Sequence, residues 1–112
     1  MKLLTKGLRA VLPPLYAQDG KGADTMAYVK YFDPCGSWTW YATEFDGEDL
    51  FFGLVDGHEK ERGYFSLSEL QAFRGKLGIG IERDLHWPIQ TLGEIAPELF
   101  EGQSARMAIG GL

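Results

Sequence analysis

Cysteine is nearly absent from this sequence of 112 residues, in which Cys35 is the only one. A single thiol excludes an internal disulfide, and it excludes a cysteine-based structural zinc site, which needs about four ligands. The surrounding residues, Asp33-Pro34-Cys35-Gly36, have a composition typical of a turn. Because no cationic residue adjoins Cys35 to stabilise a thiolate, we interpret it as an unreactive loop residue.

Basic residues are also few. Eleven Lys and Arg stand against sixteen Asp and Glu, which gives a formal net charge of −5. Proteins that bind nucleic acid neutralise phosphates with Lys and Arg, usually grouped in a patch or stripe. The basic residues of this chain are scattered, so no direct binding of DNA or RNA is expected.

Long apolar runs and catalytic signatures are missing as well. No run approaches the about 20 apolar residues of a membrane span, and residues 1–10 lack the apolar run of a signal peptide. Gly-x-Ser-x-Gly is absent, and Gly75, Gly78 and Gly80 do not follow a strand as a phosphate loop would. We therefore expect a cytoplasmic protein that contacts no membrane and uses no cofactor.

The distribution of small residues divides the chain. Its length corresponds to one domain. From Glu101 onward Gly, Ser and Ala prevail. We predict a single α+β domain over residues 1–100 and a mobile tail rich in Gly and Ala over residues 101–112.

Alternating apolar and polar residues predict strands over residues 25–32, 37–45, 50–55 and 59–65. Asp46-Gly47 and Asp56-Gly57 are dipeptides preferred in tight hairpin turns. Residues 81–87 alternate too, with Glu82, Asp84 and His86 on one face. Thr5 and the capping boxes at residues 66–69 and 91–94 predict short helices. The fold class is therefore α+β, an antiparallel meander of about four strands with about three short helices packed on one face.

Residues 37–65 hold eight of the fifteen aromatic residues of the chain. They also hold seven acidic and two basic residues, a balance equal to the net charge of the whole protein. We interpret most of the rings as core, with one or two exposed as anchors for a protein partner. The carboxylates predict an exposed acidic rim that binds a basic protein surface, formed by Glu44, Asp46, Glu48, Asp49, Asp56, Glu59 and Glu61.

Two Asp-x-His triplets support an alternative. Asp56 and His58, and likewise Asp84 and His86, would project to the same side of an extended backbone. Two carboxylates and two imidazoles could bind Zn, Mn or Fe, and Glu82 could serve as a general base beside them. The alternative hypothesis is a small metal-assisted hydrolase.

Long strings of residues resemble one family. They are Trp38 to Val55, Gly63 to Leu70, Ile81 to Asp84 and, near the start, Leu12 to Tyr16. These strings are similar to the short bacterial proteins grouped as domain of unknown function 2958, over residues 1–99. The resemblance implies no catalytic or binding residues. It implies a setting on plasmids, phages and integrative elements, often near genes that counter host restriction.

The leading hypothesis from the sequence combines the rim with this setting. We expect a non-enzymatic interaction protein of a mobile genetic element, such as an anti-defence inhibitor, that presents an acidic surface to a basic host protein. Acidic inhibitors gain association rate from such a field. The oligomeric state is left open.

Overall fold

The computed structural model describes residues 1–101 and confirms the predicted α+β class. The helices are α1 (Lys6–Val11), α2 (Leu67–Ala72) and α3 (Leu92–Ile95). The strands are β1 (Met26–Ala27), β2 (Val29–Phe32), β3 (Thr39–Phe45), β4 (Leu50–Asp56), β5 (Lys60–Ser66), β6 (Glu82–Arg83) and β7 (Gln90–Thr91). Single turns of 3-10 helix occupy Gly22–Asp24, Lys76–Gly78 and Pro97–Phe100. Apart from Glu101, the predicted tail lies outside the described residues.

Five strands form one antiparallel sheet in the order β5-β4-β3-β2-β6. Strands β2 to β5 follow one another along the sheet as they do along the chain, which confirms the meander. Lys60 and Arg62 alternate with Tyr64 along one side of the strand over residues 59–65, which predicts an edge strand, and β5 does lie at the edge. Strands β1 and β7 pair separately, as a second antiparallel sheet. Within residues 1–101 no helix has the length and apolar character needed to cross a membrane.

Both faces of the large sheet carry apolar side chains, because neighbouring residues of a strand point to opposite faces. Ala42 belongs to a cluster on the first face, which includes Leu67 and Leu70 of α2. Tyr41 packs against a second cluster, on the opposite face, which includes Leu92 of α3. The helices therefore cover both faces, whereas the sequence placed them on one. A chain with so many apolar residues on β3 and β4 needs cover on each side.

A bulge in β3 changes the predicted alternation. The pairing of β3 with β4 shifts between Ala42 and Glu44, so that Phe45 lies opposite Phe51. Phe45 is buried in the same cluster as Ala42, although strict alternation put these two side chains on opposite faces. One extra residue in a strand inverts the orientation of everything after it.

The predicted strand over residues 81–87 is wrong beyond its first residues. The strand contains only Glu82 and Arg83. The carboxylate of Asp84 then accepts a hydrogen bond from the backbone amide of His86, at 3.0 Å, which closes a turn. Glu82, Asp84 and His86 therefore do not line one face of a strand.

The helix starts are confirmed. Thr5 accepts from the amide of Leu8 at 3.2 Å, and Ser66 accepts from the amide of Glu69 at 3.1 Å. Thr91 and Glu94 form the predicted reciprocal capping box. Ser66 is also the last residue of β5, so its cap joins the edge strand directly to α2.

Candidate protein-interaction surface

The seven carboxylates predicted as one rim are divided by the fold. Strand β4 connects two hairpin turns that lie about 20 Å apart, since each strand residue advances the chain by about 3.3 Å. One turn carries Asp46, Glu48 and Asp49. The other end carries Asp56, Glu59 and Glu61. The acidic rim is therefore two separate groups.

Glu44 belongs to neither group, because only 3% of its surface is exposed. Its two carboxylate oxygens accept hydrogen bonds from the backbone amides of Tyr16 and Gln18, each at 2.8 Å. Tyr16 has a positive φ of 73°, a strained conformation for a residue with a side chain. Glu44 thus anchors the loop that precedes β1 and is not available to a partner.

The carboxylates at the first turn are also used by the fold. Asp46 accepts hydrogen bonds from the amides of Glu48, Asp49 and Leu50, and these bonds, the one from Glu48 first, lower the pKa of its carboxyl group. Asp49 accepts from the amide and the hydroxyl of Ser68, at 2.8 and 2.7 Å. Asp46 and Asp49 therefore shape the turn and hold it against α2.

The edge strand β5 separates its charges between the two faces of the sheet. Glu61 lies opposite Val55, which in turn lies opposite Trp40, so all three side chains are on one face. Lys60 and Arg62 alternate with Glu61 and therefore point to the other face. Within residues 1–101, neither of the two ion pairs involves Glu59 or Glu61.

The cations of β5 have partners on their own face. The Nζ of Lys60 donates to Glu98 at 2.8 Å. This hydrogen bond raises the pKa of Lys60 and lowers that of Glu98. The guanidinium of Arg62 lies 5.6 Å from the ring centre of Phe52, a cation–π distance. Tyr64 packs edge-on against the same ring at 4.9 Å.

Aromatic rings accompany the carboxylates on the face of Glu61. The rings of Trp38 and Trp40 are 6.0 Å apart, and His58 meets Trp38 edge-on at 5.4 Å. Trp38 is 37% exposed and lies over Gly57, where any Cβ atom would overlap its indole. We call this surface the tryptophan face. It is formed by Trp38, Trp40, Val55, His58 and Glu61, and the exposed Glu59 lies in the turn beside it.

A small cavity adjoins the tryptophan face where β5 runs into α2. Its volume is about 160 Å³. Its lining residues are Trp40, Phe65, Ser66, Glu69, Leu70 and Phe73. Gly63 lies next to it on the same face and leaves open space above the strand. The surface thus continues from the exposed indole of Trp38, past the half-buried indole of Trp40, into a recess.

A larger hollow of about 530 Å³ lies along the C-terminal half of α2 and shares Leu70 with the small cavity. Met1, Leu3 and Ile81 contribute to its wall. Arg74 also lines it, but its guanidinium donates to the backbone carbonyls of Gln71 and Phe73, at 2.9 and 2.6 Å. Because its guanidinium is bonded to its own backbone, we do not assign a ligand to this hollow.

The two Asp-x-His triplets do not assemble a metal site. His58 packs on Trp38, and the carboxylate of Asp84 lies 3.8 Å from Lys30. Within residues 1–101, no three His, Cys, Asp or Glu side chains are grouped so that they could hold a metal ion. His86 is exposed in the turn after β6, and the metal-assisted hydrolase has no support in the described geometry.

Asp56 and Asp84, the aspartates of the two Asp-x-His triplets, both lie near enough to Tyr41 to affect its pKa. Burial raises the pKa of the Tyr41 hydroxyl, and the negative charges of Asp56 and Asp84 raise it further. Trp87 packs against the Tyr41 ring at 5.7 Å. The raised pKa keeps the Tyr41 hydroxyl protonated. Tyr41 lies on the face opposite the tryptophan face.

Sequence reasoning identified the tryptophans and the acidic residues but did not place them on the same surface. The signal was available in the alternation of β5, where Glu61 lies between Lys60 and Arg62. The cavity was not predictable, because Glu69 and Phe73 reach it from α2 and its C-terminal end, whose orientation on the sheet depends on tertiary packing.

Comparison with known proteins gives one match. A family model described as a protein of unknown function, DUF2958, matches residues 3–96. No curated protein and no solved structure matches the chain.

Proposed function

Because the chain belongs to the DUF2958 family of proteins of unknown function, we propose its role from its own surface: it is a non-enzymatic interaction protein whose tryptophan face binds a basic partner protein. The observation that carries the proposal is the division of charge on β5. Glu61 shares a face with the exposed indole of Trp38 and the half-buried indole of Trp40. Lys60 and Arg62 point away and have partners of their own.

Rings and carboxylates would contribute differently to such an interface. Tryptophan is enriched among the residues that dominate binding energy, and the 37% exposure of Trp38 leaves part of a large ring unburied. Exposed ion pairs contribute only about 0–1 kcal/mol each. Glu59 and Glu61 would therefore mainly accelerate association and select a partner of positive charge.

The wider setting remains part of the proposal. The family resemblance suggests an accessory protein of a mobile genetic element, such as an anti-defence inhibitor. The basic partner would then be a host defence protein or a protein that handles nucleic acid. This step rests on association with the family, whereas the acidic aromatic surface rests on the chain itself.

The test uses fluorescein-labelled decalysine as a basic probe and measures fluorescence anisotropy at low and high salt. We expect binding that weakens as salt rises. The double variant Glu59→Lys/Glu61→Lys should weaken binding about tenfold or more, by combined loss of attraction and gain of repulsion.

A charge-matched control distinguishes binding through the tryptophan face from binding that depends only on the net charge of the protein. Asp19→Lys/Asp24→Lys changes the charge of the protein by the same amount at two other exposed positions. It should weaken binding much less than the change at residues 59 and 61. Equal weakening by both double variants, or binding indifferent to salt, would contradict the proposal.

A further inference from the structure

The cavity beside the tryptophan face combines aromatic walls with a carboxylate. Trp40, Phe65 and Phe73 are three of its six lining residues. Glu69 supplies the carboxylate. The faces of aromatic rings carry negative charge density that attracts cations, most strongly for tryptophan. Rings and carboxylate together favour a positively charged occupant over a neutral one.

Glu69 is held in place but retains acceptor capacity. It is the third residue of α2, and its Oε1 accepts from the hydroxyl of Ser66 at 2.9 Å. A carboxylate can accept about four hydrogen bonds, so one bond leaves most of this capacity available. The N-terminal cap of α2 therefore fixes the position of a charge at the cavity wall.

A second carboxylate, that of Asp33, lies near Phe73, one of the lining residues. The ring of Phe73 and the carboxylate of Asp33 both flank Gly75, at 3.1 and 3.2 Å from the position that a Cβ atom there would take. The neighbouring cation, Arg74, is turned toward the backbone carbonyls of Gln71 and Phe73. Two carboxylates, those of Glu69 and Asp33, are therefore set against one guanidinium in this region, which leaves an excess of negative charge.

The size of the cavity limits what can enter. At about 160 Å³ the recess is small and partly open to solvent, which suits the insertion of one side chain. A lysine side chain has five heavy atoms beyond its Cα. Its ammonium is a compact charge on an apolar stem that packs readily along rings.

We propose that this cavity receives a lysine side chain of the basic partner, with the stem against Trp40 and Phe73 and the ammonium at Glu69. The inference rests on the proposed function, because the lysine belongs to a chain that lies across the tryptophan face. The open backbone at Gly63 is where that chain passes the edge strand.

The test titrates the full protein with N-acetyl-lysine methylamide and follows the indole N–H of Trp40 by proton–nitrogen NMR. The matched probe is N-acetyl-norleucine methylamide, which has an apolar side chain of similar length and no ammonium. We expect the lysine compound to shift the Trp40 signal and to bind about threefold or more tightly than the norleucine compound. Equal binding of both compounds would overturn the inference.

Two variants test whether the carboxylate of Glu69 causes the tighter binding of the lysine compound. Glu69→Gln keeps an oxygen to accept from Ser66 and removes the charge, so lysine binding should fall about threefold or more while the fold persists. Asp19→Asn removes an exposed charge outside both the tryptophan face and the cavity, and it should change lysine binding little. An unchanged affinity in Glu69→Gln would overturn the inference.

The two proposals can fail separately. If decalysine binding depends on residues 59 and 61 but the lysine compound does not distinguish Glu69→Gln from the wild type, only the cavity assignment is wrong. If decalysine binding does not depend on residues 59 and 61, the proposed function is wrong, whatever the small compound does.

Discussion

Strand β5 presents different surfaces on its two faces, although both contain charges and aromatic rings. On one face, Lys60 is paired with Glu98, and Arg62 lies over Phe52. On the other, Glu61 shares the face of Trp38 and Trp40 and takes part in neither ion pair of residues 1–101. The difference shows that the composition of a segment does not reveal which of its charged side chains lie together on one face of the sheet. Residues 37–65 are acidic as a whole, but on β5 the carboxylate of Glu61 shares a face with the tryptophans while the two cations point to the other face.

A second contrast separates carboxylates that hold the fold from those that are free to contact a partner. Glu44, Asp46 and Asp49 accept hydrogen bonds from the backbone, and Asp49 also accepts from the hydroxyl of Ser68. Glu59 and Glu61 are exposed at the far end of β4. Removing a carboxylate of the first kind should cost stability, while removing one of the second kind should cost binding.

The largest loss in the free energy of unfolding is expected from a substitution that disrupts the sheet between the two faces. Gly53 on β4 lies beside Gly63 on β5, and a methyl group at Gly53 would overlap the backbone carbonyl of Tyr41. Gly53→Ala should lower the free energy of unfolding by about 3 kcal/mol or more, because the backbone must move. Urea denaturation measures this change.

Gly63→Ala is the matched control, since its new methyl group would meet no atom within 4 Å. It should change the free energy of unfolding by no more than about 0.5 kcal/mol. Similar losses in the two variants would show that the close approach of β4 to Tyr41 is not as described.

A smaller effect should distinguish the two kinds of carboxylate. Glu44→Ala removes the acceptor of the Tyr16 and Gln18 amides, and we expect a loss of about 2–4 kcal/mol in the free energy of unfolding. Glu61→Ala should cost no more than about 0.5 kcal/mol, because Glu61 is exposed. Urea denaturation of both variants decides this, and equal losses would remove the distinction between the two carboxylates.

The sequence was sufficient for the elements that depend on local chemistry. The caps at Thr5, Ser66 and Thr91 and the turn at Asp46-Gly47 are set by residues four or fewer positions apart. Alternation in β5 also identified the edge strand. These features require no knowledge of distant contacts.

The remaining features depend on tertiary structure. The bulge after Ala42 inverts Phe45 and turns Glu44 toward the loop that buries it, and nothing in a period of two residues indicates the extra residue. Asp84 was expected in a strand, but its carboxylate closes a turn with the amide of His86. The cavity requires α2 to pack beside Trp40, which only the assembled sheet determines.

The central claim is that the two faces of β5 differ in their capacity to bind a basic chain, and NMR mapping of the decalysine complex tests it most directly. We predict that the indole N–H signals of Trp38 and Trp40 and the amide of Glu61 shift on titration, while signals of Phe52 and Tyr64 on the opposite face stay in place. Shifts concentrated at Phe52 and Tyr64, or spread equally over both faces, would contradict the account.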